Sequence, residues 1–474
     1  MKKLITIILT IFSFIWLASC KKALTEKMHS AVTPGNFYVT GDDAEAAVNG
    51  IFANLQLQEF YGRTVYIVNE LSGDVFRPNN VNSDRAELYT GTYTPANGQI
   101  NNWWLNSYKM IKNANDVITY VPGISMDVTQ RNNLVGVAYF MRALGYYNLV
   151  TVFGDVPLVF VSNGQDLYPA RKNADSVYSQ LIRDLKYAEA NCLHTDALPS
   201  SEVGRPTSEA ASALLARAYL QRGGTSYAHT SDNQDALSEC NKLIAYSASH
   251  PAVLSLAANY GDNFNVNTKN GPENIFSVQF GDPPNNITIT NLMFDPESLG
   301  GFASFLPLDS FVHSFAPVDK RIAASIGTVD GGITYISKYR DPGVAAGSLG
   351  RNNWDVLRYA DVLLMQSEAM NNINANDANK FNGINLVRTR AGLGSSLLSF
   401  SNTASSDDFI NALVNERLWE FSVEGHRRND LIRLKKFQQF KAAEGFVIDN
   451  NHLLMPIPQS EMDLNPSLVQ NKGY

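Results

Sequence analysis

The stretch TSEAASALLARAYLQR, residues 207–222, decides the fold. Thr207, directly after Pro206, is placed to start a helix, because its hydroxyl can accept a free first-turn N–H. Ala210, Ala211, Ala213, Ala216 and Ala218 then lay a seam of small side chains along it. Small residues let neighbouring helices approach closely, as in tetratricopeptide-like helical hairpins. Outward from this stretch, helical spacing of apolar residues predicts further helices over residues 43–57, 103–120, 132–152, 175–192, 235–245, 354–371, 375–390 and 407–423. In the second of these, Trp104, Tyr108, Ile111 and Asn115 recur in steps of three and four, and the third stops at Gly154. The connections are short, so the helices pair. The expected fold is mainly α, a stack of hairpins with few short strands, too irregular in spacing for a clean 34-residue array.

Two stretches break the helical pattern. Residues 247–351 are rich in Asn, Gly, Pro and aromatics, with one strand expected at 275–280; residues 60–101 behave similarly. A loop region of this length in a compact protein is usually functional. The 474 residues are 45% hydrophobic and 18% charged, enough to bury a large core, and no linker-like or low-complexity tract divides them.

The first residues point to export. Lys2 and Lys3 precede an apolar run over residues 4–16, too short for a bilayer span of roughly 20 residues. Leu17-Ala18-Ser19-Cys20 follows, a small-residue tripeptide ending in the cysteine to be acylated. Residues 1–19 read as a lipoprotein signal and residues 20–474 as the mature chain, held to a membrane by lipid without spanning it. Removing Lys2 and Lys3 leaves 36 of the 38 basic residues against 45 acidic ones, a balance unsuited to nucleic acid. Cys192 and Cys240 remain; their spacing does not establish a disulfide, and both read as buried and inert.

With these blocks in place, a resemblance becomes specific. Thr33-Pro34-Gly35-Asn36-Phe37-Tyr38 with Ala46 to Ile51 opens the mature chain. Ala138-Tyr139-Phe140-Met141-Arg142-Ala143-Leu144-Gly145-Tyr146-Tyr147 continues to Phe153-Gly154-Asp155-Val156-Pro157-Leu158, and Gly204-Arg205-Pro206-Thr207 leads into Ala213 to Leu220. Arg358-Tyr359-Ala360-Asp361 with Glu368-Ala369, Val387-Arg388 with Arg390-Ala391-Gly392-Leu393, and Glu416-Arg417, Glu420-Phe421 and Glu424-Gly425-His426-Arg427 with Asp430-Leu431 follow in order. The chain closes on Leu454-Met455-Pro456-Ile457-Pro458 and Gln470 to Tyr474. Together these resemble the SusD/RagB family over the whole mature chain apart from the irregular stretches, with an N-terminal part at about 21–225 and a C-terminal part at about 270–474. The resemblance implies about four tetratricopeptide-like units, a loop-rich ligand face, an outer-membrane lipoprotein exposed at the surface, and a TonB-dependent SusC-like transporter as partner. It implies glycan binding, with peptide binding as the alternative.

The most enzyme-like feature is Glu416, Glu420 and Glu424, four residues apart and so on one helix face. Paired carboxylates can hydrolyse glycosides. Arg417, Arg427, Arg428 and Arg433 are close in sequence and would hold these glutamates ionised, so they read as an ion-pair network, and His426 as a structural hydrogen-bonding residue. No HExxH pair, Cys/His cluster or G-x-S-x-G elbow is present. The reading is a non-enzyme without cofactor or metal, a surface glycoside hydrolase being the less favoured alternative. Sugar rings pack their C–H faces on aromatics while amides, carboxylates and arginines read their hydroxyls. Loop composition therefore nominates Asp74, Arg77, Asn101, Trp103, Tyr260, Phe264, Phe302 and Phe305 as ligand-binding residues. Trp104, in register with Tyr108, and Phe276 and Phe280 in the expected strand read as core.

Overall fold

The computed structural model describes residues 33–79, 82–161, 167–282 and 290–474; Cys20 and the signal read at 1–19 lie outside the described residues. Nine helices of eleven or more residues form the scaffold within this range: α1 (Gly41–Leu55), α2 (Gly98–Tyr120), α3 (Val128–Phe153), α4 (Ala174–Asn191), α5 (Ser208–Gly223), α6 (Asp232–Ser249), α7 (Tyr359–Ile373), α8 (Lys380–Arg390) and α9 (Ser406–Phe421). Local chemistry sets several of their ends. Thr207 accepts from the Ala210 amide to start α5, Thr40 and Ser405 form capping boxes on α1 and α9, and Gly154 stops α3 at φ 72°.

From α2 to α8 each helix packs on the next, and α2/α3, α4/α5, α6/α7 and α8/α9 form four successive pairs. The Ala seam places α5 between α4 and α6 with nearly every side chain buried, and its buried charges are paired, Arg217 with Asp361 and Arg222 with Asp232. A Cβ on Gly145 would meet Ile111 at 2.7 Å, so glycine sets the closeness of α2 and α3. Arg142 then ties three helices, with two 2.7 Å bonds to Asp184 on α4 and a 3.0 Å bond to Asn115 on α2. Cys192 and Cys240 are free and buried, and burial pushes both thiols well up.

The strands are short and paired antiparallel: β1 (Phe76–Pro78) with β5 (Phe305–Pro307), β2 (Val156–Pro157) with β3 (Arg171–Lys172), β4 (Asn274–Val278) with β8 (Trp354–Arg358), and β6 (Ile326–Val329) with β7 (Ile333–Ile336). The predicted helix over 354–371 is thus split. Its first five residues pair with β4, a partner some 80 positions away that no local periodicity shows, and the helix begins at Tyr359. The helix predicted from 375 begins at Lys380, because Asn374 and Asp377 accept from the Asn376 and Asn379 amides and hold turns there. Residues 60–101 are more ordered than their composition suggests, with helices at Thr64–Glu70 and Ser83–Thr90.

The chain leaves the stack after α6 and re-enters at β8, yet α6 packs directly on α7. The insertion is therefore looped out of an unbroken scaffold. Its roots are the β4/β8 pair, and the β1/β5 pair joins it to the 60–101 stretch. Residues 40–474 form one compact unit; the unit before it carries, among its described residues, one helical turn at Pro34–Phe37. No described helix is long and apolar enough to cross a membrane.

Candidate functional site: a cleft in the insertion

Glu416, Glu420 and Glu424 converge, although only the first two lie on α9, which ends at Phe421; Glu424 sits in the turn beyond it. Their cations are not the neighbouring arginines. Arg321 meets Glu416 at 2.6 Å and Glu420 at 3.2 Å, Arg358 meets Glu420 at 2.9 Å and Glu424 at 2.7 Å, and Lys338 meets Glu424 at 2.6 Å. Arg388 and Arg390 complete the cluster on Glu416 and Glu420, and Glu273 joins through Arg358 and Arg390. Arg417, Arg427 and Arg433 instead pair with Asp361 and Asp430, Asp74, and Glu368. A helix sends consecutive side chains to different faces, so Arg417 cannot share the side of Glu416. Despite the opposing effect of burial, the surrounding guanidinium groups hold the Glu420 and Glu424 carboxyls below the usual range. These groups are sealed from solvent, and the cluster is a clamp: Arg321, Lys338 and Glu273 belong to the insertion, and Glu416, Glu420 and Glu424 to the last scaffold helix and the turn beyond it.

His426 lies beside this clamp, against Phe421. Burial, reinforced by Arg217, lowers its imidazole from 6.5 to about 3, against the pull of Asp361, Asp430 and Glu424. A histidine depressed in the fold leaves stability intact above pH 6.5 and removes it as pH falls, since the unfolded chain takes up a proton that the fold refuses. At pH 5 the expected loss is about 2 kcal/mol. Glu70 and Asp355, both pushed up to about 7 by burial, act with opposite sign, so the parent must be compared with a variant. His426→Gln should flatten the fall in unfolding free energy between pH 7 and pH 5; identical slopes would refute this assignment.

Lys338 leads from the clamp to a cleft of about 630 Å³, within the range of small-ligand sites. Its walls come from the turn after Tyr260–Phe264, the β6/β7 hairpin and residues 337–343, with Arg351 at one side. The hairpin closes through Gly331 and Gly332, both at positive φ. The ring of Tyr335 lies over its cross-strand partner Gly327, where a Cβ would come within 2.4 Å of it. The floor is aromatic. Phe264 packs 5.1 Å from both Tyr260 and Tyr339, and Tyr339 stacks on Trp354 at 4.9 Å. Tyr339 holds φ 64°, a left-handed conformation costing roughly 1–2 kcal/mol in a non-glycine residue. Such strain is characteristic of functional sites held by their surroundings. Lys338 sits 4.4 Å above Phe264 while bound to Glu424 and the Ser422 carbonyl, so the clamp also sets the floor. The rim is polar and uncommitted: the Asn267 side chain and the Asn265 amide nitrogen have no hydrogen-bond partner among the described residues.

The structure divides the eight nominated residues. Phe264 lines the cleft, with Tyr260 beneath it, buried and donating its hydroxyl to the Glu420 carbonyl at 2.8 Å. The β1/β5 pair joins the two irregular stretches that carry Arg77 and Phe302: Arg77 is opposite Leu306, the Asn79 amide donates to the Ser304 carbonyl, and Phe302, further along, is 62% exposed. That ribbon packs beside β7, which carries Tyr335. The remaining residues require correction. Trp103 is buried, with its Nε1–H donating to the Asn148 carbonyl at 3.1 Å, and cannot offer a face to a sugar. Phe305 is fully buried between Phe76, Phe294 and Tyr66, and Asp74 is the ion-pair partner of Arg427, outside the clamp. Asn101 accepts from Ser460 at 2.9 Å and is not among the residues lining the cleft. Trp104, Phe276 and Phe280 are core, as read. The cleft residues Arg340, Arg351 and Asn267 went unnominated, although the Pro342-Gly343 turn beside Arg340 was a usable loop signal.

Comparison with known proteins agrees with this architecture. Residues 39–220 match a family model described as starch-binding, associating with outer membrane, and residues 320–474 match the SusD family model. The SusD-like protein P2 of Formosa agariphila is 28% identical, covering 95% of this chain and 96% of the relative. A SusD-like protein of Bacteroides ovatus is 25% identical over 91% of this chain and 82% of its own length. Among solved structures, a SusD homolog from Bacteroides thetaiotaomicron superposes with a TM-score of 0.82 at 21% identity, covering 93% of this chain and 98% of that one. A laminarin-binding SusD-like protein superposes at 0.76 and 23% identity, covering 92% and 100%. The two models together cover most of the chain, leaving only residues 221–319 between them, and the relatives span both scaffold halves: this chain belongs to the SusD/RagB family.

Proposed function

We propose that this chain is a non-catalytic, lipid-anchored protein of the outer membrane that binds a glycan in the insertion cleft and passes it to a TonB-dependent SusC-like transporter. The observation that carries the reading is the cleft itself, an aromatic floor under a rim of side-chain amides unpartnered among the described residues and two acid-anchored arginines, held by a buried ion clamp. Phe264 and Tyr335 would pack against sugar C–H faces, Asn265, Asn267 and Arg340 would meet hydroxyls, and Phe302 with Arg77 would extend the surface along the β1/β5 ribbon. The family model's starch-binding, membrane-associating description supports the same class of ligand and place. Against hydrolysis stands the burial of the carboxylates. Glu416, Glu420 and Glu424 are sealed in ion pairs, and Asp355, whose raised carboxyl would suit a general acid, is 1% exposed.

A glycan panel titrated into the full-length chain in detergent tests this. Aromatic packing is worth on the order of 1 kcal/mol, so Tyr335→Ala should weaken binding about fivefold, with the melting temperature recorded alongside. Retention of a barrel transporter on the tagged chain in native membranes tests the partner. Release of reducing ends from any bound polysaccharide would defeat the non-catalytic assignment, and binding of peptides but no glycan would pass the cleft to the peptide reading.

A further inference from the structure

The charge of the cleft says more about its ligand than its shape does. Its lining includes two guanidinium groups, those of Arg340 and Arg351, and no carboxylate, on a chain of net charge −7. The acids that position these arginines lie behind the wall. Asp295, 4% exposed, takes only the Nε–H of Arg340, at 3.0 Å. Both terminal nitrogens of Arg340 are left without a partner among the described residues, on a side chain still 28% exposed. Asp341, 1% exposed, takes Arg351 through Nε at 2.7 Å and a terminal nitrogen at 3.1 Å, while also accepting the Gly343 amide. On the solvent side the Asp282 carboxylate, 81% exposed, lies 3.5 Å from Arg351. Lys269, also close, is turned to the Phe280 carbonyl. Gly343 keeps the approach open, since a Cβ there would come within 2.6 Å of an Arg351 terminal nitrogen.

A guanidinium held by its Nε presents its two terminal nitrogens as a fixed fork, which matches the paired oxygens of a carboxylate or sulfate. Because Asp295 already orders the side chain, little further freedom is lost when such a group docks. Resting on the glycan reading above, we propose that the cleft selects acidic glycans, with Arg340 as the reader of the anionic substituent and Arg351 reinforcing its field. Neutral glycans would meet the same aromatic floor but leave the fork unmatched.

The test is calorimetric titration of the full-length chain in detergent with three oligosaccharide probes of similar length: carboxylated (from alginate), sulfated (from carrageenan) and neutral (from laminarin). The expected result is at least about tenfold tighter binding of one acidic probe than of the neutral one, the scale of a charge-assisted bidentate contact. Whichever acidic probe binds identifies carboxylate or sulfate as the recognised group. Arg340→Gln should collapse the acidic-to-neutral affinity ratio toward unity, and Arg340→Lys, which keeps the charge but not the fork, should leave an intermediate ratio. Because the readout is a ratio within each variant, a change in folded fraction does not imitate it. Equal or tighter binding of the neutral probe, or an unchanged ratio in Arg340→Gln, overturns the proposal and leaves the glycan reading intact. Binding of none of the three probes overturns the proposal together with the glycan reading.

Discussion

Arg358→Ala is expected to lower the unfolding free energy by about 3–5 kcal/mol, the range for breaking a buried ion pair by removing one partner. Arg358 is 1% exposed and meets three glutamates, Glu273, Glu420 and Glu424, with the Phe421 ring 4.9 Å from its guanidinium. It stands on β8, whose pairing with β4 roots the insertion. Without it, three carboxylates face one another at a site water does not reach, with Arg321, Lys338 and Arg390 left to neutralise them. An exposed pair would be worth at most about 1 kcal/mol; burial makes the difference here. Arg358→Lys should fall between the two, because an ammonium keeps the charge but cannot span Glu420 and Glu424 with a planar fork. Chemical denaturation with a midpoint shift at constant slope is the measurement. A midpoint that does not move would mean the remaining cations suffice, and the clamp would lose its claim to hold the insertion.

Trp103→Ala should cost about as much, some 3–5 kcal/mol for a buried indole, and for a different reason. The ring fills space between Phe60 at 5.0 Å and Tyr61 at 5.7 Å. Its Nε1–H serves the Asn148 carbonyl, while the Asn148 side chain bonds the Tyr61 hydroxyl at 3.1 Å. Deleting the indole opens a cavity and strips a hydrogen bond from α3 at once. Glycan affinity of the folded fraction should stay as it was. A variant with normal stability and weakened binding would return Trp103 to the ligand surface that composition had suggested for it.

These two residues mark where local reading stops. Helix positions were legible because their causes are local: the Thr207 cap, the Gly154 stop and the alanine seam of 210–218 each act within a turn or two. Periodicity also placed Trp104 inside. It misjudged Trp103, because α2 is covered on more than one side, by α1, by α3 and by the helix at Thr64–Glu70, so adjacent positions are both interior. The glutamates at 416, 420 and 424 were recognisable as structural, yet their partners Arg321, Lys338 and Arg358 lie about 60 to 100 positions away and carry no mark of the pairing.

The family and the hairpin scaffold, then, were determined by the sequence alone, through spacing, caps and small residues whose effects are short-ranged. The cleft was decided only in three dimensions. Its floor, its left-handed Tyr339 and the fork of Arg340 depend on antiparallel pairs and buried charges drawn from distant segments, and such contacts leave no periodic trace along the chain.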